Sequence, residues 1–230
     1  MASGAVILTD EAPDPAMEIP ENQYDPHAPQ ERAERELEFS RIVAFSDGVI
    51  AIAITLLVLN LEVPAGVTDF GAYLADLRPE LLSFALSFAV IAQFWSLHHR
   101  FFGALARFDG RLLNLNLLFL ACIVLVPFTT DLLDEYSTRA VPSMLYAATL
   151  GTAALVNWVM VAQALRRDLV YPAARASLGG FEGRRGLVIP AIFFVSIPLA
   201  LASPLAAQLC WLTLLIRRSA VFRRALSGVR

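Results

Sequence analysis

The sequence predicts an all-α polytopic membrane protein with six transmembrane helices. Hydrophobic residues make up 57% of its 230 residues and are concentrated in long blocks. About 20 helical residues, each rising about 1.5 Å, cover the ~30 Å hydrocarbon core of a bilayer. Besides these apolar blocks, a second observation supports the prediction: arginine is concentrated in alternate connections between the blocks. This composition excludes a typical soluble enzyme, and we expect no catalytic residue, no cofactor and no nucleic-acid partner.

The segment 1–40 differs in composition from the rest of the chain. It holds ten of the 21 acidic residues and is rich in Pro, Glu, Asp and Ala. Its short apolar start has no basic residues before it, which argues against a signal peptide. Low hydropathy and acidic excess predict a disordered cytoplasmic tail that becomes helical from about Gln30.

The first apolar block, Ile42–Leu61, is long enough to span a bilayer but contains Asp47. A charged residue at the centre of a membrane helix costs about 2.5–3.5 kcal/mol on insertion scales, and somewhat less nearer the interface. We therefore expect Asp47 to have a function or a specific partner.

Four further apolar blocks follow. The last one is 30 residues long, too long for one span and short for two. Because Pro204 after Ser203 is typical of a helix restart, we divide it there into two short spans joined by a tight turn. The blocks are Leu81–His99, which Pro79 introduces, Leu112–Leu132, Val141–Leu165 and Leu187–Ile216.

The distribution of arginine supports six spans. Of the 18 arginines, sixteen fall in segments that a six-span topology places in the cytoplasm, and only Arg78 and Arg139 fall outside. Cytoplasmic loops are enriched in Lys and Arg, whereas a five-span topology would place the Arg-rich C-terminal tail outside. The sequence thus predicts a transmembrane domain over 41–216, a basic tail over 217–230 and both termini in the cytoplasm. The basic tail is either a topology signal alone or a short helix on anionic lipid.

Polar residues of the first three spans fall at one depth, near their cytoplasmic ends. Buried polar groups are costly unless they are hydrogen-bonded, so we expect these residues to form a network that receives Asp47. The residues are Ser46 and Asp47 in span one, Trp95, His98 and His99 in span two, and Asn114 and Asn116 in span three.

A second set of residues forms a stripe on span one. At 100° per residue, Ile52, Thr55 and Leu59 lie on one side of the helix, and Asp47 falls about 140° from Ile52. If this stripe faces a symmetry axis, the carboxylate points into its own subunit. Periodicity alone favours ordinary lipid-facing or core packing of Ile52 and Leu59, and it is consistent with a Thr55 hydroxyl bonded to its own helix.

Several short motifs carry a resemblance to a known family. Arg41-xxx-Phe45-Ser46-Asp47-Gly48 followed by Ala51–Val58 resembles the signature of the transmembrane-protein-175 family, the lysosomal potassium channels and their six-span prokaryotic relatives. The other matching runs are Ser87-Phe88, Phe94-Trp95-xx-His98-His99-Arg100, Asn114–Leu120 and Pro127-Phe128.

The resemblance implies a potassium-permeable cation channel without a TVGYG filter, assembled as a homotetramer whose pore is lined by the first helix of each subunit. It implies a hydrophobic constriction at Ile52, a hydroxyl layer at Thr55 and a second apolar ring at Leu59, with K⁺ passing near Ile52 and Thr55 and no fixed metal. It also implies a structural rather than a permeation role for one motif, which consists of Arg41, Phe45, Ser46, Asp47 and Gly48.

The leading interpretation is a leak channel in a bacterial plasma membrane, since no span carries the arginine ladder of a voltage sensor. One alternative is a proton-coupled or proton-conducting transporter that uses Asp47 with His98 or His99 as a relay. Another is a non-conducting scaffold. A metal site at the two histidines is not favoured, because adjacent helical side chains point about 100° apart.

Overall fold

The computed structural model describes residues 28–61, 65–182 and 186–211. The chain divides into two units, Met1–Ser40 and Arg41–Arg230, and each is described by itself. In the first unit the described residues are helical from Ala28, close to the expected start at Gln30, and the Ser40 hydroxyl donates to the Leu37 carbonyl at 2.8 Å. The tail predicted to be disordered before that point lies outside the described residues.

The described part of the chain is all-α, as predicted. Helix α1 continues into a 3₁₀ turn, Leu57–Asn60, and residues 204–211 form a further helical stretch. The helices are α1 (Ala28–Leu56), α2 (Phe70–Asp76), α3 (Arg78–Gly103), α4 (Gly110–Glu135), α5 (Ala140–Arg166), α6 (Pro172–Glu182) and α7 (Val188–Ala202).

Four of these helices are long and apolar enough to cross a membrane, and they coincide with the first four predicted blocks. They are Ala33–Leu59, Arg78–Gly103, Gly110–Glu135 and Ala140–Arg166. The helix starts follow from local chemistry. Pro79 stands in the first turn of α3, and the Asp109 carboxylate accepts the backbone N–H of Leu112 at 2.8 Å at the start of α4.

The last apolar block breaks where the sequence predicts a restart. Ser203 has an extended backbone, and its hydroxyl accepts the backbone N–H of Ala206 at the start of the next helix. The Trp211 indole N–H donates to the Ser196 hydroxyl at 2.9 Å, although a straight helix would separate these residues by about 22 Å. The two arms therefore fold back on each other as a hairpin. The count of six spans stays a prediction, because the second arm is described only to Trp211.

The core lies where α5 packs between α4 and α7. A Cβ atom on Gly151 of α5 would lie only 3.1 Å from the Phe193 Cβ atom of α7. Glycine at this position thus permits the close approach of the two helices. Leu150 of α5 and Ile123 of α4 are fully buried in this core.

The α3–α4 connection is joined to the α5–α6 connection by contacts that the sequence did not predict. Leu105, after α3, forms an isolated antiparallel bridge with Val170, after α5. Arg167 forms an ion pair with Asp109, and Arg107 donates to the Asp168 carbonyl at 3.2 Å. These contacts tie the α3–α4 connection to the α5–α6 connection, at the end of the bundle where the polar residues of the first three spans also lie.

Candidate functional site

Three of the polar residues predicted to meet, Ser46, His98 and Asn116, do so at the junction of α1, α3 and α4. Asn116 of α4 is the centre of the network. Its Nδ2 donates to the Ser46 Oγ of α1 at 2.9 Å, and its Oδ1 lies 2.8 Å from the His98 Nε2 of α3. The Ser46 hydroxyl in turn donates to the Ile42 carbonyl at 2.9 Å. Ser46, His98 and Asn116 are all buried, so this network joins three helices in the interior of one subunit.

The imidazole of His98 is stacked against two aromatic rings. It stacks on Phe102 with ring centroids 4.1 Å apart and on Phe119 at 5.3 Å. Because the Asn116 amide nitrogen already donates to Ser46, the amide oxygen faces His98, and the Nε2 of His98 must carry the donated hydrogen. The ring is thus fixed in position and in tautomer.

Asp47 lies beside this network and is not part of it. Its Oδ1 accepts the indole N–H of Trp95 on α3 at 2.8 Å, and the Trp95 ring stacks on His99. The sequence led us to expect a buried carboxylate, but Asp47 is partly exposed. The carboxylate is nevertheless bonded to a helix of its own subunit, as expected.

The proton-relay alternative finds no support in this geometry. Asp47 is hydrogen-bonded to Trp95 rather than to His98 or His99. His98 is instead engaged with Asn116, and His99 is exposed. The hydrogen bonds of the described residues therefore join helices to one another and do not link Asp47 to His98 or His99.

Some residues predicted for the site lie apart from the network. Asn114, expected as a partner, is exposed on α4 because it is two residues, about 200°, from Asn116. Arg41, Phe45 and Gly48 of the span-one motif are also exposed. Within one chain the motif therefore divides, with Ser46 and Asp47 facing inward and the others outward.

The stripe on α1 faces away from the body of the subunit. Ile52 is 61% exposed, Leu59 is 69% exposed, and Thr55 is also exposed, whereas residues on the opposite side of the helix are only 1% exposed. Leu59 lies in the 3₁₀ turn, so the regular 100° spacing used in the sequence argument ends before it. The buried residues are Ile50, Ala53 and Leu57.

The Thr55 hydroxyl donates to the carbonyl of Ile52 at 2.8 Å. This bond to its own helix was one of the two interpretations left open by the sequence. It occupies the hydroxyl hydrogen and leaves oxygen lone pairs on an exposed side chain.

A second polar cluster, near the opposite ends of α3 and α4, was missed. The Ser87 hydroxyl lies 2.9 Å from that of Thr130 and 3.4 Å from that of Tyr146, and Ser83 donates to Asp134. The sequence contained a signal for this cluster. Ser83 and Ser87 are four residues apart and so share one face of α3, and Thr130 and Asp134 share one face of α4 in the same way.

Comparison with known proteins places the chain in a family. The family model for the endosomal/lysosomal potassium channel TMEM175 matches residues 41–127. A protein of Streptomyces collinus named as a potassium channel is 37% identical over 186 residues, which cover 72% of this chain and 87% of that protein. The chain belongs to the TMEM175 family. The resemblance stated from the span-one to span-three motifs is therefore confirmed.

Two further comparisons point to Chamaesiphon minutus. A protein named as a potassium channel is 45% identical over 108 residues, 45% of this chain and 53% of that protein. The crystal structure of a lysosomal potassium-selective channel TMEM175 homolog matches with a TM-score of 0.68 and 32% identity, covering 80% of this chain and 97% of that chain. The all-helical fold is thus that of a solved TMEM175 protein. The network and the α1 stripe both lie inside the matched range 41–127.

Proposed function

We propose that the chain is the subunit of a potassium-permeable cation channel in which α1 of each of four subunits lines a central pore. Membership of the TMEM175 family supports the proposal, as do the names of the Streptomyces and Chamaesiphon relatives, which describe potassium channels. The activity is passive permeation and requires no enzymatic step and no cofactor.

One observation carries the proposal, namely the exposure of an apolar stripe on a membrane helix opposite a fully buried face. Ile52 and Leu59 project outward, while Ile50 and Leu57 hold α1 on its own subunit. Four copies of this surface around an axis would form a constriction at Ile52 and a second apolar ring at Leu59. A hydrophobic constriction restricts ion flow because water fills it reluctantly.

Thr55 supplies the polar layer between the two apolar rings. Its hydroxyl hydrogen is directed at the Ile52 carbonyl, so lone pairs of the oxygen remain for a cation. Four such oxygens would replace part of the hydration shell of a passing K⁺. The ion is the permeating substrate, and no fixed metal site is required.

The polar network sets the rotation of α1 about its axis. Ser46 is bonded to Asn116 of α4, and Asp47 is bonded to Trp95 of α3. These two anchors keep the carboxylate on its own subunit and hold Ile52 and Thr55 on the opposite side. Arg41, Phe45 and Gly48 then complete a structural motif at the head of the helix rather than a permeation site.

The wider organisation of the channel follows from the charge distribution. We assign six spans to the domain 41–216, a cytoplasmic acidic tail to 1–40 and a cytoplasmic basic tail to 217–230. Both termini then lie in the cytoplasm, and the protein resides in a bacterial plasma membrane.

A planar-bilayer recording of the purified, reconstituted protein tests the proposal. With K⁺ and Na⁺ on opposite sides, we expect an ohmic current that reverses close to the potassium equilibrium potential. Saturating uptake driven by a pH gradient would instead identify a proton-coupled transporter. Absence of current from intact tetramers would identify a scaffold.

A further inference from the structure

A cavity of about 340 Å³ lies within the subunit, between α3, α4, α5 and the hairpin formed by α7 and residues 204–211. It is lined by the second polar cluster and has no residue of the α1 stripe in its wall. Because no residue of the α1 stripe lines it, the cavity is separate from the proposed pore. Its volume falls in the range of pockets that bind small molecules, about 300–1,000 Å³.

Three aromatic rings stand together in the wall of this cavity. The ring centroid of Trp211 lies 5.1 Å from that of Tyr146 and 6.1 Å from that of Phe193. The Trp211 indole N–H is bonded to Ser196, which fixes the ring on α7. Clustered aromatic faces attract cations, because the ring quadrupole presents negative potential above each face.

A carboxylate shares the same wall. Asp134 accepts a hydrogen bond from Ser83, and no basic side chain in the described part of the chain forms an ion pair with it. The next polar groups along the wall, Ser87, Thr130 and Tyr146, are bonded to one another and carry no charge. The wall thus combines aromatic faces with a carboxyl group that has no basic partner in the described part of the chain.

We propose that this cavity binds a small organic ammonium ion with a compact apolar body. The ammonium group donates to Asp134, and the apolar body packs among Tyr146, Phe193 and Trp211. A lipid acyl chain matches the wall less well, since it offers no donor to the carboxylate and no charge to the aromatic faces. The proposal does not depend on conduction of potassium.

Isothermal titration calorimetry on the purified full-length protein in detergent tests this, with 2-phenylethylammonium and the neutral 2-phenylethanol as probes of similar size. Titrations into detergent alone supply the blanks. We expect the ammonium to bind at least ten-fold more tightly than the alcohol. Asp134→Asn should abolish this difference while keeping an acceptor for Ser83. Asp76→Asn changes an exposed carboxylate outside the cavity wall and should retain the difference.

A second pair of variants keeps Asp134 intact in case its replacement prevents folding. Leu209→Trp fills the cavity from an exposed position in its wall and should weaken binding of the ammonium at least ten-fold. Leu201→Trp makes the same change at an exposed leucine outside the wall and should leave binding unchanged. Equal affinity for both probes, no binding of either probe, or equal losses at Leu209 and Leu201 would overturn the proposal.

Discussion

Asp47 is a membrane-span carboxylate that is held by a neutral donor. The Trp95 indole N–H satisfies one oxygen without cancelling the charge, and partial exposure leaves the remaining lone pairs accessible. The bond joins α1 to α3 within one subunit. At the level of single residues, we expect this bond to contribute to stability and to the orientation of α1.

We expect Asp47→Ala to lower the free energy of unfolding in detergent by about 1–3 kcal/mol. The substitution removes a charge-assisted hydrogen bond and leaves the Trp95 indole N–H without its acceptor. Trp95→Phe should have a similar effect, and the double variant should be no worse than the more damaging single one. Equilibrium unfolding of the purified protein measures all three, with exposed Asp131→Ala as the control. Fully additive losses would show that the two side chains act independently.

Thr55 tests the permeation role of a single hydroxyl. Thr55→Ala removes the oxygen lone pairs from the proposed polar layer, so we expect the potassium-to-sodium permeability ratio to fall while tetramers remain intact. Thr55→Ser keeps the hydroxyl and should keep the ratio near that of the wild type. Reversal potentials under bi-ionic conditions give the measurement. An unchanged ratio in Thr55→Ala would mean that the hydroxyl serves only its bond to the Ile52 carbonyl.

At the level of helices, Asn116 joins three elements with one side chain. It bonds Ser46 of α1 through its amide nitrogen and His98 of α3 through its oxygen. An isosteric apolar residue makes neither bond and leaves a buried imidazole N–H without an acceptor. The packing of α1 on α3 and α4 therefore depends on this residue more than on its exposed neighbour Asn114.

We expect Asn116→Leu to destabilise the fold by about 1–3 kcal/mol or more, the cost of a stranded buried donor. Asn114→Leu makes the same chemical change two residues away at an exposed position and should alter stability by less than about 0.5 kcal/mol. Thermal or denaturant unfolding of the two variants compares them directly. Similar losses in both would indicate that Asn116 is not the junction of the three helices.

The long helices and this junction were predictable for different reasons. Long apolar blocks give a strong signal, and charged or amide residues inside them point to internal partners, which is how Asp47 and Asn116 were identified. The membrane depth predicted from the sequence did not distinguish Asn116 from Asn114. The distinction depends on which face of α4 meets α1 and α3. The structure supplies that face.

Other elements carried too weak a local signal to be predicted. Helices α2 and α6 are short, and the bridge between Leu105 and Val170 joins residues 65 positions apart. Such a contact leaves no periodic trace in the sequence. The Ser203 break was predictable because Pro204 cannot continue the preceding helix, and the close pairing of Gly151 with Phe193 was not.

At the level of the whole molecule, the hairpin at Ser203 decides the topology. The two arms are short, and they turn back at the end of α7. If each arm crosses the membrane, residue 202 lies outside and the basic tail lies in the cytoplasm. If the block is a single span, residue 202 lies in the middle of the bilayer and the tail lies outside.

Labelling of single cysteines distinguishes these topologies in a background with Cys122 and Cys210 replaced by alanine. We expect Ala202→Cys to react with a membrane-impermeant maleimide added outside intact cells. Arg107→Cys and Arg230→Cys should react only after the membrane is opened. Reaction of Arg230→Cys in intact cells, with protection of Ala202→Cys, would support five spans.

The central claim is that α1 lines the pore through its exposed stripe, and substitution of Ile52 tests it most directly. Ile52→Asn keeps similar bulk but offers water an amide at each position of the proposed constriction, which should then fill with water more readily. Ile50 on the opposite side is unsuitable as a control because it is buried. Val124→Asn introduces the same amide at an exposed position within the α4 span.

Single-channel and macroscopic currents of the two variants should be recorded in planar bilayers after tetramers have been verified. We predict a larger resting conductance and a lower potassium-to-sodium permeability ratio for Ile52→Asn, with wild-type values for Val124→Asn. Wild-type currents from intact Ile52→Asn tetramers, or equal changes in both variants, would contradict the assignment of α1 as the pore-lining helix.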